Sequence, residues 1–358
     1  MRHIWPAQRF ITALYLMGSL LTVSLAIEQP NLVIVDNDFN GPPWSLTNQR
    51  AALMFLESSE VKVLGFTVVT GDGWRDEEVC HLLRLLEIAG RPDIPVVPGA
   101  VFPLVNTQAR AERFKPLAYR GAWDTAVTRG DPSYVPHGPE VIPAFPEGMP
   151  KIKPSSDRAA TFMIEQVHAH PHQVSIFAGG PLTNLALAVR LDPDFPRLAK
   201  ELVFAGAFLN LGYADFNVGF DPEAAQIVLS APWPTVTVVA DVSGDAKFSG
   251  EDSDQITAAR TPISKYVIDY SRLDRSKDWP LWDELAAAIL IDPTIAKSDD
   301  TWLSINLDHG EDYGLVHVCN DQDVPASEKS KVRMVKSVDL KSFKARFVKC
   351  MSAVPATP

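Results

Sequence analysis

Cysteine is scarce in this chain, and nothing marks it as a nucleic-acid binder. Cys80, Cys319 and Cys350 are the three cysteines among 358 residues, too few for a disulfide scaffold. They leave room for one bridge in an oxidising compartment. Cys319 with Cys350 is the expected pair, because both lie near the C-terminus; three free buried thiols is the other reading. The formal net charge is −11, and no basic patch interleaved with aromatics occurs, which argues against a nucleic-acid partner. The sequence has no Asn-x-Ser/Thr sequon, no internal repeat and no obvious linker. A long uncharged apolar run occurs only at the start, Phe10–Ala26, after Arg2, His3 and Arg9. Ser24-Leu25-Ala26 has the small-x-small form of a cleavage site. Residues 1–26 are therefore expected to be a signal peptide, with secretion of one large domain, 27–358, and no membrane partner after cleavage. A single membrane helix competes, but the run is short and lacks a basic stop-transfer flank.

What is present is concentrated in Asn31–Pro43, NLVIVDNDFNGPP. Leu32–Val35 is apolar without polar alternation, the pattern of a strand buried on both faces. Asp36 and Asp38 then sit at the carboxyl end of that strand. In open α/β sheets ligands bind at that edge. A carboxylate beside a core is costly unless it meets a cation or donor hydrogens.

The rest of the chain alternates. Helices are expected over Asn48–Glu57, Asp76–Ala89, Arg158–His168, Leu182–Leu191, Pro222–Leu229, Ile263–Tyr270, Trp282–Leu290 and Leu340–Cys350. Strands are expected over Val61–Thr70, Ile94–Val97, Val174–Phe177, Leu202–Ala205, Val236–Val239, Leu303–Asn306 and Leu315–Val318. This order implies a single-domain α/β fold, with a mostly parallel central sheet flanked by helices. Phe102–Lys153 breaks the alternation. It is rich in Pro, Gly and Arg, and a loop of that length is usually a functional lid or a disordered insert. His168, His170 and His172 invite a metal reading, but they straddle a helix end at Pro171 and are expected to be a solvated terminus.

Five segments together resemble the inosine-uridine-preferring nucleoside hydrolase family: Asp36-Asn37-Asp38, LLEIAGRPDIPVVPGA (85–100), GPLTN (180–184) with the later LVFAGAF, ADFNVGFDPEAA (214–225) and WDELAAAILIDP (282–293). They occur in the family's order and spacing, from about Asn31 to Met351. The resemblance implies a nucleoside hydrolase fold and cleavage of the N-glycosidic bond of ribonucleosides, aided by a bound calcium ion. It also implies a small nucleoside as partner and assembly as a homo-oligomer. Its metal motif, D-x-D-x-x-x-D-D, maps Asp38 onto the calcium ligand and general base, and Asp36 onto the residue that orients that site. The Gly179 carbonyl and Asp283 match further calcium ligands. The closing aspartate pair falls on Pro42 and Pro43, which offer no side-chain oxygen. The cage is thereby short of one anionic ligand, and the Asn40 amide oxygen is a candidate to compensate.

For the sugar, the resemblance points to Asp72, Asp215 and Asn217, with Asn210 displaced by about one position from a family asparagine. Short polar side chains of this kind suit a neutral polyol. Trp282, just before the metal aspartate, resembles the purine-specific branch, where tryptophan replaces a histidine acid and stacks on the base. Base stacking on an aromatic face contributes roughly 1–3 kcal/mol. Trp74 is a candidate for the opposite face, although a buried core aromatic is the plainer reading for it and an equal one for Trp282. Three functions follow from the resemblance and its departures. One is hydrolysis of purine nucleosides with Asp38 as base. The second is a secreted nucleoside- or ribose-binding protein with impaired catalysis, which Pro42-Pro43 favour. The third is hydrolysis of another N-riboside.

Overall fold

A computed structural model describes residues 1, 29–42, 46–115, 118–271, 279–320, 322, 325 and 329–355. The expected signal segment lies almost wholly outside the described residues, and Pro43 lies outside them too.

Six strands follow the expected alternation: β1 (Asn31–Asn37), β2 (Val61–Val68), β3 (Val96–Pro98), β4 (Val174–Ala178), β5 (Glu201–Ala205) and β6 (Val236–Val239). A small antiparallel pair follows, β7 (Lys247–Phe248) and β8 (Trp279–Pro280). Three longer segments complete the sheet: β9 (Ala296–Ile305), β10 (Val316–Cys319) and β11 (Lys329–Val338). The nine-stranded sheet runs β10-β9-β11-β6-β5-β4-β1-β2-β3. From β11 to β3 the neighbours pair in parallel, while β9 and β10 pair antiparallel at one edge.

The order reverses beside β1. From there the chain moves outward to β2 and β3, and after the insert it returns to β4 on β1's other side. Such a switch point opens a crevice at the carboxyl ends of the strands.

Both faces of the sheet are covered. Val33 and Val35 join one buried cluster with Phe55, Leu82, Leu285 and Phe347. Ile34, between them, joins the other with Val174, Leu185 and Val228. Alternate side chains of one apolar strand therefore fill two separate cores, which is why β1 shows no polar alternation.

The expected helices and strands lie within a few residues of the observed ones, but the helices Gln108–Phe114 and Gly250–Ala259 were not expected, and two strands need correction. β11 was not foreseen, because its sequence, KSKVRMVKSV, carries four cationic residues. Val332 and Met334 are nonetheless buried on one face and Val335 on the other. β9 starts at Ala296, well before the expected Leu303, and its polar first half is largely uncovered.

The expected Cys319–Cys350 bridge is absent: all three cysteines are free thiols. Cys350 is buried in one core against the helix Leu340–Met351's own Phe347. Cys319 ends the outermost strand of the sheet. The sequence ends that suggested the pairing are thus held at separate places. His168 sits on the surface and meets Asp192 Oδ2 at 2.6 Å.

The Asp of the DPEAA segment, Asp221, is a fully buried junction. Its Oδ2 accepts from Thr183 Oγ1 at 2.6 Å and from Leu104 N at 2.9 Å. Its Oδ1 caps the helix Pro222–Leu229 through Ala224 N at 3.2 Å. Asp221→Ala removes a cap and strands two buried donors, so it is expected to destabilise the fold by about 2–4 kcal/mol. Urea unfolding measures this; a loss below about 0.5 kcal/mol, the range of an ordinary surface change, contradicts it.

Candidate active site

The switch point opens into a cavity of about 1380 Å³. Asp38, Asp72, Gly179, Asp215, Asn217, Trp282 and Asp283 all line it. Residues spread over nearly 250 positions meet because each follows the carboxyl end of a parallel strand or opens the helix Trp282–Ile291.

Asp38 is buried and wedged between two glycines. A Cβ on Gly71 would lie 2.0 Å from Asp38 Oδ2, and one on Gly180 2.9 Å from Oδ1. Both oxygens accept hydrogen bonds: Oδ1 from Asn48 Nδ2 at 2.8 Å, and Oδ2 from Asp72 N at 2.9 Å. Burial pushes the Asp38 carboxyl well above its usual range, and the Asp72 and Asp283 carboxylates push it further.

Asn37 organises the neighbours. Its Oδ1 accepts from Asp38 N at 2.9 Å and from Asn48 Nδ2 at 3.2 Å, while its Nδ2 donates to Asp283 Oδ2 at 2.9 Å. Asp283 is buried and its carboxyl is raised well above the ordinary range, chiefly by burial. The next residue, Glu284, is tied to Arg50 Nε at 2.6 Å and to Thr47 Oγ1 at 2.7 Å. Those two bonds fasten the helix Thr47–Leu56 to the helix that carries Trp282 and Asp283.

Asp36 does not line the cavity. It is fully buried, and its Oδ1 accepts from Thr67 Oγ1 at 2.6 Å and Asn184 Nδ2 at 2.8 Å. Burial raises its carboxyl to about 7. Its role is to hold β1, β2 and the helix Thr183–Leu191 together at the site's base.

At the sugar end, Asp215 caps the helix Phe216–Phe220 through Val218 N at 3.3 Å. Its buried Oδ2 has no hydrogen-bond partner, and burial raises the carboxyl to about 6. Such an oxygen is suited to accept from a ligand hydroxyl. Asn217 Nδ2 donates to the carbonyls of Gly179 at 2.6 Å and Ala205 at 2.8 Å.

Two candidate placements differ, Asn210 and Asn40, while Trp74 follows its plainer reading. Asn210 is exposed and does not line the cavity; its backbone N donates to Asp241 Oδ1 at 3.1 Å, beside Leu209 N on Oδ2 at 3.2 Å. That anchorage turns the following Leu211 and Tyr213 to the cavity instead. Trp74 is a core aromatic: it packs with Ala122, Trp123 and Phe220, and its Nε1 donates to the His137 carbonyl at 2.6 Å. Asn40 turns its Oδ1 to Gly41 N at 2.9 Å. Trp282, by contrast, keeps 39% of its surface exposed at the cavity wall.

Several lining residues escaped sequence reasoning. Asn48 and Arg50 lie on an apolar-spaced helix that signals only packing. Tyr119 and Arg129 come from the insert, whose sequence has no periodicity.

Comparison with known proteins decides the family. The family described as inosine-uridine preferring nucleoside hydrolase matches residues 33–345. The chain belongs to this family. Over 270 residues it is 28% identical to the pyrimidine-specific ribonucleoside hydrolase RihA of Citrobacter koseri, covering 71% of this chain and 79% of the relative. It is 31% identical over 239 residues to uridine nucleosidase 1 of Arabidopsis thaliana, covering 65% of this chain and 64% of that protein. Among solved structures, a plant nucleoside hydrolase superposes with a TM-score of 0.71 at 23% identity, covering 90% of this chain and 99% of its own. A purine-preferring ribonucleoside hydrolase from Gardnerella vaginalis gives 0.70 at 19% identity, covering 90% and 98%. These two likenesses show the fold, which is that of the nucleoside hydrolases.

The implied calcium ion can be tested against the donor set. Calcium takes about six to eight oxygen ligands. Asp38, Asp283 and the Gly179 carbonyl are three groups, and the oxygens of Asp38 and Gly179 already accept N–H donors. Pro42 is buried and brings no side-chain oxygen. Among the described residues no group of three or more His, Cys, Asp or Glu is placed to hold a metal ion. The described protein donors fall short of the calcium cage of the resemblance. Calcium added to chelator-treated protein is expected to leave the Tm unchanged. A rise of several degrees, as about 2.7 kcal/mol of binding produces at a hundredfold excess over Kd, would overturn this.

Proposed function

We propose that this nucleoside hydrolase relative cleaves the N-glycosidic bond of ribonucleosides to free base and ribose, with purine nucleosides favoured and Asp38 as general base. The observation that carries the reading is the convergence of Asp38, Asp72 and Asp215 on one cavity that the partly exposed indole of Trp282 also lines.

Asp38 accepts a proton from water, and that water attacks the anomeric carbon as the C–N bond breaks. The ribose passes through an oxocarbenium-like state. Fixed carboxylates beside it favour the positive charge that develops there. The sugar hydroxyls donate to Asp72 and to the unpartnered Asp215 Oδ2. The departing base leaves from a stack on Trp282 and takes its proton from solvent. A bicyclic purine covers more of an indole than a pyrimidine does, which supports the purine preference even though relatives are named for pyrimidines and uridine.

One observation favours a second reading. Pro42 is buried where the resemblance calls for an aspartate, which leaves a nucleoside-binding protein without turnover as the alternative. Secretion remains part of the proposal on the strength of the N-terminal sequence alone.

Steady-state assays with inosine, guanosine, uridine and cytidine test both readings. The expected result is release of base from all active substrates, with kcat/KM highest for inosine or guanosine. Trp282→Ala is expected to raise KM for purines by about 10-fold, the loss of one stacking contact. Higher kcat/KM for uridine, unaffected by that substitution, contradicts the purine assignment; binding without base release supports the alternative.

A further inference from the structure

The insert after β3 reaches back to the sugar end of the site through one side chain. Tyr119 lines the cavity, and its hydroxyl donates to Asp72 Oδ1 at 2.7 Å. The segment that carries it is fixed to the turn after β2. Ala122 N donates to the Gly71 carbonyl at 2.8 Å, and Arg129 Nη1 donates to the Asp72 carbonyl at 3.1 Å. Gly121 has a φ of +58°, and a Cβ there would lie 2.0 Å from Gly71 O, so the two backbones approach as closely as glycine allows. Arg129 also donates to the Gly121 carbonyl at 3.3 Å and pairs with Asp124 Oδ2 at 3.3 Å. Its guanidinium lies 4.9 Å from the Tyr134 ring centre. The Tyr119 ring itself packs on Phe216, 5.0 Å between centres, one residue past Asp215.

We propose that Tyr119 is a positioning residue for ribose recognition, acting by holding the Asp72 carboxylate. The inference rests on the reading of this cavity as a nucleoside site. A carboxylate only accepts hydrogen bonds, and an Asp side chain rotates unless a donor fixes it. Asp72 stands beside Asp38, whose Oδ2 accepts from its backbone N. The Tyr119 hydroxyl occupies one Asp72 oxygen through a charge-assisted bond. With that oxygen engaged, the carboxylate has one orientation, and its other oxygen is left for a sugar hydroxyl. Pre-organisation of this kind appears in affinity rather than in the chemical step.

Calorimetric binding of inosine to Asp38→Asn protein tests this without interference from turnover. Adding Tyr119→Phe is expected to raise Kd about 10-fold, the size of one lost hydrogen bond to a charged group. In an Asp72→Ala background the same Tyr119→Phe change is expected to shift Kd less than about 2-fold, because its acceptor has been removed. An unchanged Kd in the first comparison overturns the proposal. So does an equal loss in both backgrounds, which is what a merely structural tyrosine gives, and so does an absence of inosine binding altogether. Inosine binding with the expected pattern, but no base release by the unmodified protein, upholds the role of Tyr119 while overturning hydrolysis.

Discussion

The Asp36 carboxylate holds the two halves of the sheet together where the strand order reverses. It accepts from Thr67 on β2 and from Asn184 on the helix after β4, with β1 itself between them. A fully buried carboxylate is expensive unless donors surround it. Burial raises its proton affinity to near 7 against the two donors, which lower it, and the three elements meet at this hydrogen-bonded junction. Asn37 and Asp38 extend from that junction into the cavity, and their positions depend on it.

Around Asp38 the same economy recurs. Asn48 donates its side-chain amide to the Asp38 carboxylate, the Asn37 side-chain oxygen accepts from the Asp38 backbone N, and the Gly71 and Gly180 backbones close on the carboxylate from two sides. Asn37 also bridges to Asp283, and the Arg50–Glu284 pair fixes the helix behind it. The site is thereby a group of buried acids oriented by amides and one nearby ion pair. This arrangement accounts for how the acidic groups keep their geometry although Pro42 supplies no ligand oxygen. It also gives the insert a purpose: its Tyr119 and Arg129 brace the turn that carries Asp72.

Much of the architecture was legible because β1 and its neighbours are apolar on both faces and the helices between them repeat at helical spacing. β11 was not, since its four lysine and arginine residues hide the buried Val332, Met334 and Val335. At the site, the carboxylates at strand ends could be read from sequence, as could the Trp282-Asp283 pair. Asn210 could not be placed, because a backbone anchorage by Asp241 decides where it lies. The contacts of Tyr119 with Asp72, and of Asn48 with Asp38, span loops and helices with no shared motif. Only the folded chain reveals them.

The proposal turns on Asp38 taking the proton of an attacking water in a cavity that Asp72, Asp215 and Trp282 also line. Proton NMR of inosine incubated with the wild type and with Asp38→Asn tests it most directly. The account predicts that the wild type converts the nucleoside anomeric signal into that of free ribose. It also predicts that Asp38→Asn still binds inosine but converts it at least about a hundredfold more slowly, as loss of a general base does. Conversion by Asp38→Asn at the wild-type rate would contradict it.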